Sequence, residues 1–254
     1  MSRTDSGAAA FDAAVARHDA DVAARGLTIW VGSEPTFTDR AAQSPEWLNQ
    51  ALGGDKEARA QTLAERLCAR FPGSLLLHTV GRQYPGEERP RWNLGLYRRR
   101  DGRPVWPPRP VAEAPADLDA WTATLAAELT GRGWHVDAVA GAAACERRVL
   151  LRTDPGVAMP APDDPRLARA PVHTRPTPAG GLTDDLAAAG LHLFALSLPD
   201  EGPVPAVELP MFADVATFLA VLECLAAAAA DCGLPRPRLT GYPPPWMPWS
   251  NGPR

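Results

Sequence analysis

The chain has 254 residues, 45% of them hydrophobic, with 26 Lys and Arg against 30 Asp and Glu for a formal charge of -4. That length supports one sizeable core, and the acidic balance excludes the global basic field on which non-specific nucleic-acid binding relies. The longest apolar run, "VATFLAVLECLAAAAA", is bounded by Asp214 and Asp231, so it reads as a buried helix rather than a membrane span; no export signal is visible, and the expected location is cytoplasmic.

Residues from about Ala8 to Arg25 read as an amphipathic helix stopped by Gly26. "LTIWVG" (Leu27–Gly32) reads as a strand, and "SEPTFTD" as the turn after it. Ser44 and Pro45 open a short helix through "EWLNQAL". Gly53 and Gly54 break it, and Asp55 is expected to cap a longer helix that puts Leu63, Leu67 and Phe71 on one face. "LLLHTVG" and "WNLGLYRRR" are strands, with "RRDGRP" as a tight hairpin turn. Asp117 caps a helix carrying Leu118, Trp121, Leu125 and Leu129, ended by Gly131 and Gly133. "WHVDAVAG", "RRVLLRT", "LHLFALSL" and "PAVELP" are strands. Met211 to Cys232 is a long helix, and "RPRLTGY" a last short strand. Residues 154–181 are rich in Pro, Asp and Ala without a period, which predicts an irregular, mobile loop. Residues 246–254 read as an unstructured tail. Strands and helices do not alternate regularly, so the fold class is α+β with a mainly antiparallel sheet and packed helices.

Three stretches carry groups suited to chemistry. In "WVGSEPTFTD", Glu34 follows a strand end, with Pro35 stiffening its direction; it is either a ligand for a hard cation such as Mg2+ or a local cap. In "GRQYPGEERPRW", Tyr84-Pro85-Gly86-Glu87 forms a tight turn with Arg82, Glu87 and Arg91 around it. Arginine forks there suit carboxylate or phosphate oxygens; the alternative is a surface hairpin whose charges pair with one another. In "GGDKEAR", Lys56, the only lysine, stands at a helix start, which is either an anion site or a plain cap. The cysteines (Cys68, Cys145, Cys224, Cys232) and histidines show no metal spacing, and no nucleophile elbow or dinucleotide fingerprint is present.

"GSEPTFTD", "EWLNQALGGDKEARA", "VGRQYPGEERPRWNLGLYRRRDGRPVW" and "LTGYPPP", in this order, resemble a large bacterial family of carboxylate–amine ligase-like domains. Its longer members often carry a transglutaminase-like domain in front, and the ligase-like region is distantly akin to glutamate–cysteine ligase and glutamine synthetase. The resemblance is specific over the first three stretches and loose between about Ala112 and Pro210. It implies an ATP- and Mg2+-dependent amidoligase, with Glu34 at the metal-holding position. The family's "YPGE…PRW" stretch falls on Tyr84, Pro85, Gly86, Glu87, Pro90, Arg91 and Trp92. Longer relatives continue past "GYPPP" with an acidic strand and a glycine-rich stretch ending in Asn-His. Here "WMPWSNGPR" departs from that pattern.

Three readings follow. The first is a partial ligase-like domain over residues 1–245, apparently truncated and inactive alone, completed by a second polypeptide. Arg82, Glu87 and Arg91 would act on a carboxylate- and amine-bearing small molecule or peptide, Lys56 and Tyr84 would contact ATP, and Glu34 would contact Mg2+. The second is a non-catalytic remnant that binds a partner through the Arg-rich hairpin 81–103. The third is a gene fragment without function. Nucleic acid and membrane are not expected partners. The first reading further expects Glu34 and Arg82 or Arg91 to share one site.

Overall fold

A computed structural model describes residues 4–26, 53–81, 83–99, 101–112, 117–141, 143–177, 182–198 and 204–245. The strand and helix expected over 27–51, and the tail 246–254, lie outside the described residues.

Helix α1 is Thr4–Ala24, and Gly26, at φ +64°, ends it in the left-handed region. Helix α2 is Gly54–Arg70. Its N-cap is Gly53, which offers no side-chain acceptor, and Asp55 lies inside the first turn, where its charge faces the positive end of the helix dipole. The expectation that Asp55 caps this helix is therefore corrected by two residues.

Seven strands follow: β1 (Leu75–Val80), β2 (Trp92–Tyr97), β3 (His135–Val139), β4 (Glu146–Arg152), β5 (Leu191–Ser197), β6 (Ala206–Leu209) and β7 (Arg238–Gly241). They form one sheet in the order β2-β1-β7-β6-β5-β4-β3. Pairing is antiparallel from β6 through β3 and between β1 and β2, but β7 runs parallel to both of its neighbours, β1 and β6. The class is α+β as expected, but the sheet is mixed rather than mainly antiparallel. The cause is a crossover: helix α5 (Val215–Asp231) carries the chain from the end of β6 back to its start, so β7 must re-enter in the same direction. The resemblance also implied a glutamine synthetase-like sheet, and that finer assignment gains no separate support from the strand order.

The sequence "RRDGRP" does turn, with Gly102 at φ +74° and Asp101 gripped by Arg99 and Arg103. It is not a hairpin, however. The chain leaves as irregular backbone, Val105 N–H donates to the Gly73 carbonyl at 2.7 Å, and Val105 and Trp106 are buried. The hairpin is β1–β2 itself, and residues 81–91 are its connection.

Helix α3 is Leu118–Gly131, capped as expected by Asp117, whose carboxylate accepts from the N–H groups of Asp119 and Ala120. Trp121, Leu125 and Leu129 recur every four residues and are fully buried. Helix α5 starts four residues later than Met211, because Asp214 caps it by accepting from Thr217 N–H and Oγ1–H. Its alanines, Ala226 to Ala230, let it lie close to its neighbours. Together α3 and α5 cover one face of the sheet. Leu75 and Leu77, Val149 and Leu151, Phe194 and Leu196, Val207 and Leu209, and Leu239 point into that core. Burying each such side chain contributes roughly 1.5–3 kcal/mol.

The opposite face carries a different cover. Residues 153–177 are irregular, with two short 3-10 turns at Pro165–Ala168 and Val172–Thr174; of the stretch 154–181 expected to be irregular, residues 178–181 lie outside the described residues. They are nonetheless anchored: Leu167 and Val172 are buried, Leu167 with Leu150, Leu186, Leu191 and Leu193, Val172 with Val80 and Tyr242. Helix α4 (Asp185–Ala188) closes this side. All four cysteines are free thiols.

Candidate functional site

Because successive strand residues alternate faces, the register decides which polar side chains meet. Opposite the helices, one cross-sheet row runs His78 (β1), Thr240 (β7), Glu208 (β6), Ala195 (β5), Arg148 (β4). The next row holds Arg238, Ala206, Ser197 and Glu146. Thr240 and Ala195 flank Glu208 in the first row, and Ala206 and Ser197 occupy the middle of the second. The gap they leave is a cleft of about 450 Å³, roofed by Arg169–His173 and edged by Arg89, Pro90 and Trp92. That size suits a small organic ligand.

The charges in the cleft are held in place. Arg148 is 3% exposed; its Nε donates to Glu146 Oε1 at 2.7 Å and its Nη1 to the Leu167 carbonyl at 2.5 Å. Arg169 pairs with Asp184 at 2.5 Å, and Asp184, fully buried, also caps α4 by accepting from Leu186 and Ala187 N–H. A buried charge survives only with this density of partners. Glu208 has fewer. Its carboxylate accepts from Val172 N–H at 3.1–3.2 Å. Burial raises its pKa, which that N–H and the charges of Arg175, Arg169 and His173 only partly oppose. Such a carboxyl is moved toward the range in which proton transfer is useful at neutral pH. His78 goes the other way: burial first, then Arg238, lower its pKa to about 4, so the imidazole is neutral.

The residues expected from sequence separate into two sets. Tyr84, Glu87 and Arg91 come together at the rim. The Tyr84–Glu87 turn closes as predicted, with Glu87 N–H donating to the Tyr84 carbonyl at 3.1 Å and Gly86 at φ +88°. Arg91 Nε and Nη2 donate to Glu87 Oε1 at 3.0 and 2.8 Å, and its guanidinium lies 4.4 Å from the Tyr84 ring centre. The bond from Arg91, more than any other contact, holds the Glu87 carboxyl below its usual range. The charges of this turn thus pair with one another. Glu34 and Arg82 lie outside the described residues. Lys56 is half-buried in the first turn of α2 and does not line the cleft, whereas its neighbour Glu57 does.

Sequence reasoning missed His78, Arg148, Arg169, Glu208 and Arg238. Four of them lie in strands; His78 and Glu208 are lone polar residues on one face of an apolar run, in "LLLHTV" and "AVEL", whereas Arg148 and Arg238 share their faces with other polar residues. Two-residue alternation marks them as facing away from the core, but only the register brings them together.

A mixed α+β sheet with one face sealed by helices and the other opened into a charged cleft defines a binding or catalytic domain for a small polar ligand. Residues 4–137 match the family described as "Putative amidoligase enzyme (DUF2126)", and the chain belongs to that family. The matched span carries His78, Arg89 and Trp92; Arg148, Glu208 and Arg238 lie beyond it. No curated protein and no solved structure matches the chain. Among the described residues no three His, Cys, Asp or Glu stand close enough to hold a metal ion. Nor is any described helix long and apolar enough to cross a membrane.

Proposed function

We propose that the chain is an ATP-dependent carboxylate–amine ligase whose sheet cleft holds the carboxylate and amine that are joined. The observation that carries this reading is the in-register row of Arg148, Glu208 and His78, an arginine, a proton-accepting carboxyl and a neutral imidazole around an open floor. In such a ligase the substrate carboxylate attacks the terminal phosphorus of ATP, the bond from that phosphorus to the bridging oxygen breaks and ADP leaves, and the resulting acyl phosphate is attacked by an amine. The C–N bond forms, the bond from acyl carbon to phosphate oxygen breaks, and phosphate leaves. The ammonium proton must go first. Glu208, whose pKa is raised, is the group in the cleft suited to take it. Arg148 and Arg169 supply fixed positive charge to the anionic centre, and their rigid partners avoid reorganisation during the reaction. Glu34 is proposed as a magnesium ligand on the resemblance alone. The same resemblance supports a transglutaminase-associated setting.

The test is phosphate release from ATP with Mg2+, a panel of amino acids and amines, and detection of the amide by mass spectrometry. Turnover by the wild-type chain, alone or together with a polypeptide that completes the domain, is expected, with at least a hundredfold loss in Glu208→Gln. Equal turnover in the two proteins would refute the role of Glu208. Saturable ligand binding in the cleft without any amide would instead favour the non-catalytic reading.

A further inference from the structure

Two nitrogen donors on the cleft side of the β1–β2 hairpin are buried without an acceptor: His78 Nε2 and Trp92 Nε1. Their placement follows from register. Trp92 pairs with Val80, and His78 sits two residues before Val80 on the same face. The proton on His78 is fixed by chemistry. Arg238 Nη2 lies 3.2 Å from His78 Nδ1, and a guanidinium only donates, so Nδ1 accepts and the neutral ring carries its hydrogen on Nε2. An indole has only a donor. Arg238, exposed at the mouth, forms no ion pair among the described residues.

A buried donor left unmet destabilises the fold, so two in one corner of a cleft call for a partner. All three groups donate and none accepts. The three groups themselves offer nothing to a cation or an amine. Glu57 reaches the cleft from α2, and Glu65 is near enough to raise the His78 pKa weakly, but Glu65 already accepts from Gln61. The position also differs from that of Glu208. Thr240 stands between Glu208 and His78 in the row, so a ligand reaching this corner spans past the proposed reacting centre.

We propose that His78, Trp92 and Arg238 form an oxyanion seat that holds a second acceptor group of the ligand, a carboxylate or a phosphoryl, away from the group being joined. The proposal rests on the cleft being the ligand site; it names the ligand class as a molecule with an additional anionic end, such as a dicarboxylate or a phosphorylated acid. Binding energy gathered at that end would position the reacting end over Glu208.

The experiment is a ¹H–¹⁵N spectrum of the tryptophan indoles of the wild-type chain, with Trp92 assigned through Trp92→Phe. Inorganic phosphate and succinate are titrated separately against sodium chloride of matched ionic strength. A saturable downfield shift of the Trp92 indole proton with one of them is expected, and the stronger anion identifies the source. Arg238→Gln should weaken that affinity about tenfold. A Trp92 resonance that stays still, or moves equally with chloride, shows that only water meets these donors and overturns the seat. So does a saturable shift with unchanged affinity in Arg238→Gln. Because the readout needs no turnover, a saturable shift in a chain that makes no amide would leave the seat standing while the ligase reading falls. Turnover without the shift would do the reverse.

Discussion

The two faces of the sheet are built from the same strands, yet they obey different rules. On the helix side, Leu75, Leu77, Leu196, Val207, Leu209 and Leu239 close against Trp121, Leu125 and the alanines of α5, and no polar group is needed. On the other side the same strands present His78, Glu208, Arg148 and Arg238 between Ala195, Ala206 and Ser197. Volume decides the outcome. Large apolar side chains fill one face; small ones leave the other open, and the polar groups around the opening are then held by buried partners such as Asp184 and the Leu167 carbonyl. The lesson is that this sheet invests stability in one face and specificity in the other, so substitutions on the two faces should differ in kind.

The largest effect belongs to the sealed face. Trp121→Ala removes a fully buried indole in the first turn of α3 and should cost about 4 kcal/mol of unfolding free energy, read from urea denaturation. A loss under about 1 kcal/mol would mean that the helix layer is not the stability core. The open face should behave oppositely. Ala195→Leu places a large side chain on the cleft floor between Glu208 and Arg148, into space rather than into packed atoms. Stability should stay within about 1 kcal/mol of wild type, while affinity for the best ligand falls at least tenfold. If Ala195→Leu instead unfolds the protein, the cleft is a packed layer and the comparison fails.

A third test uses pH. The unfolded His78 takes a proton near 6.5, the folded one at about 4. Between those values the unfolded state binds more protons, so stability from this residue is fully present above pH 6.5 and is lost as pH falls toward 4. His78→Asn should flatten that part of the urea midpoint against pH. An identical slope in the variant would place the acid sensitivity in other groups.

How legible this was in the sequence varies along the chain. Helix α3 could be read from four-residue spacing and an aspartate cap, and strands β1 and β5 from apolar runs, because those signals are local. The parallel placement of β7 was not read, although "PAVELP", a long helix and "RPRLTGY" form a strand–helix–strand unit in order. The stretch 154–181 lacks a period in the sequence, but the anchoring of Leu167 by distant leucines and of Val172 by Val80 and Tyr242 depends on the fold. The cleft failed to show for the same reason. Glu208 and Arg148 are 60 positions apart and meet only through the pairing of β4, β5 and β6. What the sequence did point to was the dense cluster around Tyr84, since charge within a short stretch is visible without a fold.

That cluster supplies the smallest expected effect. Glu87 accepts two hydrogen bonds from Arg91 and one from Tyr84 N–H, so its oxygens are engaged inside its own turn. The turn is also tied elsewhere: Gln83 Nε2 donates to the Glu87 carbonyl, Thr177 N–H donates to Gln83 Oε1, and Gly81 N–H donates to the Arg91 carbonyl. These backbone links keep the loop in place without the Glu87 charge. Exposed ion pairs of this kind contribute little, because water screens them and ordering two side chains costs entropy. Glu87→Gln retains one acceptor oxygen and the side-chain shape. Its urea midpoint should match wild type, and affinity at the cleft should change less than twofold. This comparison sets the rim against the cleft directly. Amide formation in wild type that survives Glu87→Gln but collapses in Glu208→Gln would assign the chemistry to the sheet face. The reverse pattern would move it to the Tyr84–Arg91 turn and leave the cleft with binding alone.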